Sequence, residues 1–310
     1  MGREAFTSWT PRSHNNQVLL AKAVEVIDEY EAQGYQLTLR QLYYQLVARD
    51  IIPNESNWYK QLGEVVSNGR LGGHIDWDSI VDRGRNPVMP SQWDSPAEIL
   101  QAAADGFRLD RWKGQRYHVE VWCEKDALSG VIEPVCQRYH VRFLANRGYS
   151  SSTAMYDAAQ RFQVAASQGQ SPVVLYLGDH DPSGLDMSRD VQDRLDLLTY
   201  EMGVETFRLA LNYPQVSDYS PPPNPTKIKD SRAKEYIGQY GMESWELDAL
   251  EPQVLDGLIS DAIEQFLDPE EWELVVAEEE AGRQRIREAA KGLKDAGSTC
   301  DPDEAIGRAE

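Results

Sequence analysis

Cysteine is scarce in this chain, and long apolar runs and nucleotide-binding glycine loops are missing. Three cysteines, Cys123, Cys136 and Cys300, lack metal-ligand spacing. So small and odd a number argues against a disulfide framework and favours a reducing, cytoplasmic setting. No run of about 18 apolar residues predicts a membrane span, and the N-terminus lacks the apolar core of a signal peptide. The GxxxxGK[ST] loop of many ATPases is absent as well.

Net positive charge is also missing. The chain carries 31 Lys and Arg against 51 Asp and Glu, a net charge of -20, which is unexpected for a protein that binds nucleic acid. Residues 242–310 alone hold 20 acidic against 6 basic residues. We therefore expect an acidic helical segment with a frayed tail over residues 261–310. Such a segment could face away from DNA, compete for a basic groove or bind a partner, although a solvated helical face is the commonest case.

The most informative stretch is VVLYLGDHDPSGLDM, residues 173–187. Its apolar, β-branched start predicts a buried strand, and Asp179 and Asp181 follow directly. Carboxylates at the carboxyl end of a strand lie where open α/β sheets bind ligands, and two such hard oxygen donors suit Mg²⁺. The alternative is an Asp-rich turn, since Asp, Pro, Ser and Gly are ordinary turn residues.

A second strand-like stretch, residues 117–128, has Glu124 near its end. A helical pattern, a strand over 141–151 and a helix over about 153–166 lie between it and the aspartates. This alternation predicts an α/β fold with a parallel sheet, covered by helices, whose strand ends share one edge. Glu124 could then join the aspartates around one cation, although by itself it would be a solvated or lysine-paired carboxylate.

These motifs resemble the Toprim domain, which occurs in topoisomerases, primases and some nucleases. The similarity is greater to the type IIB topoisomerase A subunit and its meiotic recombination relatives, which carry EKxA, GYPS-like and DxDPxG segments in this order. Here they stand as EKDA (124–127), GYSS (148–151, without the proline) and DHDPSG (179–184). Residues 246–250, ELDAL, resemble a later E-[IL]-x-A-L pattern, for which we expect sheet cover or a dimer contact. The short chain looks more like the compact bacterial and viral relatives known as Mini-A.

The N-terminal third predicts a DNA-docking domain. Residues 37–52 have apolar side chains at helical spacing with Thr38 as the helix start, and a second amphipathic segment covers 57–66. Residues 67–85 are typical of a turn and a β wing. The sequence thus predicts a winged-helix (CAP-like) domain whose second helix faces DNA. We divide the chain into a winged-helix domain (1–90), a linker (91–116) that ends in a short helix, a Toprim domain (117–260) and the acidic segment (261–310).

The resemblance also implies a nucleophile. In the type IIB family a catalytic tyrosine lies in an R-x-x-[YF]-Y context, and residues 40–44, RQLYY, match it. Tyr44 then corresponds to the nucleophile, and Arg40, on the same helix face, is placed to hold the phosphate. The alternative is that both tyrosines are packing residues, and since Tyr43 and Tyr44 point about 100° apart, both cannot face one site.

A phenol with a pKa of about 10 needs a metal or a base to attack at neutral pH. The resemblance implies Mg²⁺, with Mn²⁺ as a substitute, held by Glu124, Asp179 and Asp181, and Glu124 is also among the catalytic residues. In the family the tyrosine of one subunit works at the metal site of the other, which implies a homodimer. Strand passage would further need a separate ATPase subunit.

Three hypotheses follow. The first is Mg²⁺-dependent cleavage of double-stranded DNA through Tyr44, as in a topoisomerase VI A subunit. The second is a Toprim-type nuclease that uses metal-activated water, and the third is a non-catalytic DNA-binding or assembly protein, which the acidic charge favours. Basic residues near the predicted recognition segment and wing are the candidate DNA contacts: Lys60, Arg70, Arg83 and Arg85.

Overall fold

The computed structural model describes residues 3–81, 90–146 and 148–297, and the side chains among them up to residue 293. The protein is α/β, with a four-stranded parallel sheet flanked by helices and a helical C-terminal region. Contacts divide the chain into two units. The first unit is Met1–Gly84 with Arg116–Phe266, and the second is Arg85–Gln115 with Leu267–Glu310.

Within the described residues, the helices follow one another from the N-terminal region to residue 297. They are α1 (His14–Ala32), α2 (Leu39–Ala48), α3 (Ser56–Leu71), α4 (Pro96–Gly106), α5 (Ser129–Arg138), α6 (Ser152–Ser167), α7 (Pro182–Leu198), α8 (Tyr213–Tyr219), α9 (Ala233–Tyr240), α10 (Pro252–Glu264) and α11 (Pro269–Gly297). The strands are β1 (Tyr117–Cys123), β2 (Arg142–Ala145), β3 (Ser171–Leu177), β4 (Glu205–Ala210), β5 (Asn224–Pro225) and β6 (Glu243–Ser244).

The N-terminal part of the first unit is built on α1, α2 and α3. The Thr38 hydroxyl accepts the Gln41 N–H, and the Gln41 side chain accepts the Thr38 N–H, so α2 begins in a capping box. This confirms the predicted helix and its start. The apolar faces of the three helices meet in one buried core that includes Leu42, Leu46 and Leu62.

The predicted β wing is wrong over residues 67–71, because α3 continues through Leu71. Val65, Val66 and Gly69 keep the helical spacing of the buried face, and a side chain at position 69 would come within 3.0 Å of Leu20. Over the described residues 72–81, turns and single bridges replace a hairpin: Gly72 pairs with Ala5, and Ile80 with Leu37. Residues 82–85 of the predicted wing lie outside the described residues.

The sheet of the first unit has the order β2-β1-β3-β4, and all neighbouring strands are parallel. This confirms the strand–helix alternation and the shared edge that the sequence predicts. Cys123 lies opposite both Ala145 and Leu177, so the chain leaves β1, β2 and β3 at the same level. Glu124 therefore lies beside the loop that carries the two aspartates. The buried faces of β1 and β3, with Trp122 and Tyr176, anchor this edge in the core.

The second unit contains α4 and α11. The short helix expected at the end of the linker is α4, which begins with the Ser95 side chain accepting the Glu98 N–H. On α11, the buried Glu279 accepts the Arg111 guanidinium at 2.8 Å and the Leu109 N–H at 2.9 Å. The acidic C-terminal segment is thus helical from residue 269 to 297, while residues 298–310, with Cys300, lie outside the described residues. Among the described helices, none combines the length and the apolar character that a membrane crossing requires.

Candidate active site

The loop after β3 places both motif aspartates. Asp181 caps α7, because its Oδ1 accepts the Gly184 N–H at 2.6 Å and the Ser183 hydroxyl at 3.0 Å. Pro182 occupies the first position of the helix, where it costs no hydrogen bond. A Cβ at Gly184 would stand 2.3 Å from the Asp179 carbonyl oxygen, so only glycine fits there. The spacing of the DxDPxG motif is therefore the spacing that this tight strand-to-helix turn needs.

Glu124 and Arg208 both form hydrogen bonds to the backbone of this loop. Glu124 accepts the Asp179 N–H at 3.0 Å through Oε2, and burial raises the pKa of Glu124 although Lys125 opposes the shift. The half-buried Arg208 guanidinium donates to the carbonyl oxygens of Gly178 and Asp179 at 2.9 and 2.5 Å, and to that of Gly184 at 3.0 Å. Glu124 thus contacts the backbone of the aspartate loop.

A distant segment completes the site. His180 and Trp245 exchange two backbone hydrogen bonds of 2.8 and 3.0 Å, and the Leu247 N–H donates to Asp179 Oδ1 at 2.7 Å. This pairing brings Glu246 and Asp248 to Asp179. One oxygen of each of these three carboxylates lies within 4.8 Å of the others, a group that could hold a metal ion. We call Asp179, Glu246 and Asp248 the acidic triad.

Two protein cations face the acidic triad. Lys125 Nζ lies 2.7 Å from Asp179 Oδ1 and 2.6 Å from Asp248 Oδ1, and it also donates to Glu246. Arg40 lies 2.7 Å from Glu246 through Nη2 and 2.5 Å from Asp248 through Nε. Burial raises the pKa of Asp179 well above its usual value, despite Lys125. Burial alone would raise the pKa of Glu246 too, but Lys125 and Arg40 outweigh it and lower that pKa.

The two tyrosines have different environments. Tyr44, 6% exposed, lines a cavity of about 220 Å³ together with Asp179, Asp181 and Glu246. Burial raises the pKa of Tyr44 to about 12, with Glu246 adding to the effect and Arg40, 5.8 Å from the ring centre, opposing it. Tyr43 instead turns away from this cavity. Its hydroxyl donates to Asn54 and to the Glu55 carbonyl, at 3.1 and 3.2 Å, as expected of a packing residue.

The structure thus brings together some of the residues that the sequence selects and adds others. Asp179 belongs both to the predicted metal set of Glu124, Asp179 and Asp181 and to the acidic triad, and Asp181 lines the cavity. Glu246 and Asp248 carry no chemistry in the sequence interpretation. The sequence signal that could have identified them is the pair of carboxylates one residue apart, in the ELDAL segment that resembles a family pattern.

The predicted DNA contacts fall into three groups. Lys60 is exposed on α3. Arg70 donates to the carbonyl oxygens of Trp77, at 2.9 Å, and of Ile80, so it holds the segment after α3 in place. Arg83 and Arg85 lie outside the described residues.

Lys125→Met should destabilise the protein strongly. The substitution leaves the buried Asp179 and Asp248 and the half-buried Glu246 without their shared ammonium, and breaking a buried ion pair costs about 3–5 kcal/mol in the free energy of unfolding. Millimolar Mg²⁺ should restore part of this loss, because an ion bound between the same oxygens stabilises the folded state. Denaturant unfolding measures both effects. Lys22→Met, which breaks an exposed pair with Glu25, is the control and should cost under about 1 kcal/mol; an equally small loss for Lys125→Met would contradict the account.

Comparisons of the chain with protein-family models, with curated proteins and with solved structures found no match. Its function must therefore be inferred from the motifs and from the geometry of the cavity.

Proposed function

We propose that this protein is a Mg²⁺-dependent DNA-cleaving transesterase that resembles the A subunit of type IIB topoisomerases. One observation carries the proposal. Tyr44 of the RxxYY motif lines the same cavity as Asp179 and Asp181 of the DxDPxG motif, and Glu246 lines it as well. A nucleophile and a set of hard oxygen donors around one small cavity are what phosphoryl transfer to tyrosine requires.

The carboxylates fit a magnesium ion. Asp179 and Glu246 each offer a carboxylate oxygen within 4.8 Å of the other, a spacing that a divalent cation can bridge in place of the Lys125 ammonium. The hydrogen bonds from Arg40 and Lys125 both go to Glu246 Oε2, so Oε1 is the oxygen that a cation would use. Asp179 and Glu246 of the acidic triad would hold the ion, in the cavity that Asp181 also lines. When bound, it would stabilise negative charge on the phosphate and on the departing oxygen.

The protein side chains divide the remaining work. Tyr44 Oη attacks the phosphorus, the bond from phosphorus to the deoxyribose oxygen breaks, and a phosphotyrosyl ester and a sugar hydroxyl result. Because burial raises the pKa of Tyr44 to about 12, its proton must leave as the attack occurs, and a proton must reach the departing deoxyribose oxygen to give the sugar hydroxyl. Arg40 is 43% exposed at its side chain, so its outer edge can contact the phosphate while its inner edge stays paired with the triad.

DNA docking and assembly belong to the same proposal. α2 and α3 would act as the helices of a CAP-like domain, with the exposed face of α3 and Lys60 against DNA.

A homodimer is implied by the resemblance, which pairs the tyrosine of one subunit with the metal site of another. Mixing Tyr44→Phe with Asp179→Asn protein separates the two arrangements. Recovered cleavage would assign the site to two subunits, and its absence would assign it to one chain, as the shared cavity suggests.

Covalent trapping tests the proposal. Incubation with plasmid DNA and Mg²⁺ or Mn²⁺, followed by denaturation, should leave DNA joined to the protein.

A second candidate function is a metal-dependent nuclease, which the burial of Tyr44 favours, since metal-activated water needs no exposed phenol. Cleavage without any covalent adduct would select the nuclease.

A further inference from the structure

A second, larger cavity of the first unit lies beside α3. It has a volume of about 600 Å³ and runs from one face of α3 across the start of α2 to the loop after β1. Its walls include Leu39, Val66 and Ile80, and the rings of Tyr59 and Trp77. We call this cavity the α3 groove.

The α3 groove ends at the candidate active site. Arg40 lines the groove and also pairs with Glu246 and Asp248 of the acidic triad. Asp126 and Ala127, which also line the groove, directly follow Lys125 along the chain. A ligand in the groove would therefore reach the Arg40 guanidinium, which we propose contacts the attacked phosphate.

The aromatic rings in the groove are exposed and fixed. Trp77 is 44% exposed and Tyr59 37% exposed. Phe6 packs edge-on against Trp77 at 5.9 Å between ring centres, and the Arg70 guanidinium lies 5.6 Å from the Trp77 ring. Such a ring offers a stacking surface without first losing much side-chain freedom.

We propose that the α3 groove binds an unstacked nucleotide of the DNA strand, with the base against Trp77 and Tyr59 and the phosphate toward Arg40. The aromatic rings and aliphatic side chains of the lining suit a base, and the Arg40 guanidinium, also in the lining, suits the anionic backbone. An apolar peptide would cover the guanidinium groups without supplying an anion, which costs free energy. The volume is also ample for one nucleotide. The inference rests on the proposed function for its choice of DNA, but the binding can be measured without cleavage.

The test uses a fluorescently labelled single-stranded oligonucleotide and the full chain without divalent metal. Trp77→Ala should weaken binding by about 5- to 150-fold in fluorescence anisotropy, the range for loss of one aromatic–base stack. Trp93→Ala is the matched control, since Trp93 is 46% exposed and belongs to the second unit, and its affinity should equal that of the unaltered protein. Trp77→Phe, which keeps a ring, should retain most of the affinity and guards against a fold defect. Unfolding curves of all three variants verify folding.

Unchanged affinity in Trp77→Ala would overturn the proposal. So would a change of oligomeric state in sedimentation with DNA affinity intact, because the groove would then bind protein. The proposed function fails separately: if the unaltered protein forms no covalent adduct while Trp77 still governs oligonucleotide binding, only the chemistry is wrong. Conversely, normal binding and adduct formation in Trp77→Ala would refute nucleotide binding in the α3 groove and leave the proposed chemistry standing.

Discussion

Tyr44→Phe should abolish the covalent protein–DNA adduct, and Tyr43→Phe should leave it. Phenylalanine keeps the ring that packs in the N-terminal core but lacks the oxygen that attacks phosphorus. Loss of the proposed attacking oxygen should lower adduct formation by about 10³-fold or more. Denaturing gels of labelled DNA, with and without protease treatment, measure the effect.

Tyr43→Phe is a strict control for this result. Tyr43 precedes the proposed nucleophile on the same helix, and its hydroxyl bonds to Asn54 and Glu55 outside the cavity. Its loss should cost some stability, about 1 kcal/mol for one hydrogen bond, and no chemistry. An intact adduct in Tyr44→Phe would refute the assignment, and adduct loss in Tyr43→Phe alone would transfer it to the neighbour.

Asp179→Asn should remove the metal-dependent activity while the fold survives. The amide oxygen can still accept the Leu247 N–H, so the pairing of the two loops is preserved. The lost charge lies where the predicted metal set and the acidic triad overlap. We expect metal affinity to fall by about 10²-fold or more, and cleavage with it.

Terbium luminescence measures this binding directly, because Trp245 lines the same cavity as Asp179 and can sensitise a bound ion. Asp190→Asn is the matched control, since Asp190 lies on α7 and pairs at 3.5 Å with Arg194. Its luminescence and cleavage should equal those of the unaltered protein. A normal terbium signal in Asp179→Asn would place the ion elsewhere or exclude it from this cavity.

Local patterns are what the sequence predicts well. The strand before Asp179 is an apolar run, the turn at Gly184 is a steric requirement, and α2 begins in a capping box, so each depends on residues within a few positions. The shared edge of the sheet follows from the order of strands and helices. These rules sufficed to place Glu124 beside the aspartate loop.

Long-range pairing is what the sequence does not predict. Glu246 and Asp248 reach Asp179 through a bridge between His180 and Trp245, and the bonded atoms of Asp179 and Leu247 belong to residues 68 positions apart. No local spacing encodes that bridge. Lys125 likewise carries no sequence signal for its three carboxylate partners. The wing over residues 67–71 failed for another reason: its glycines suggest a turn, but Gly69 is required by close packing inside a helix.

The central claim is that Asp179 and Glu246 bind a divalent ion beside Tyr44, in the cavity that Asp181 also lines. A crystal structure of the protein with Mn²⁺, with anomalous diffraction recorded, tests it most directly. The account predicts an anomalous peak in the cavity, within about 2.5 Å of carboxylate oxygens of Asp179 and Glu246. A cavity without such a peak at saturating Mn²⁺, with the Lys125 ammonium still bonded to all three carboxylates of the acidic triad, would contradict it.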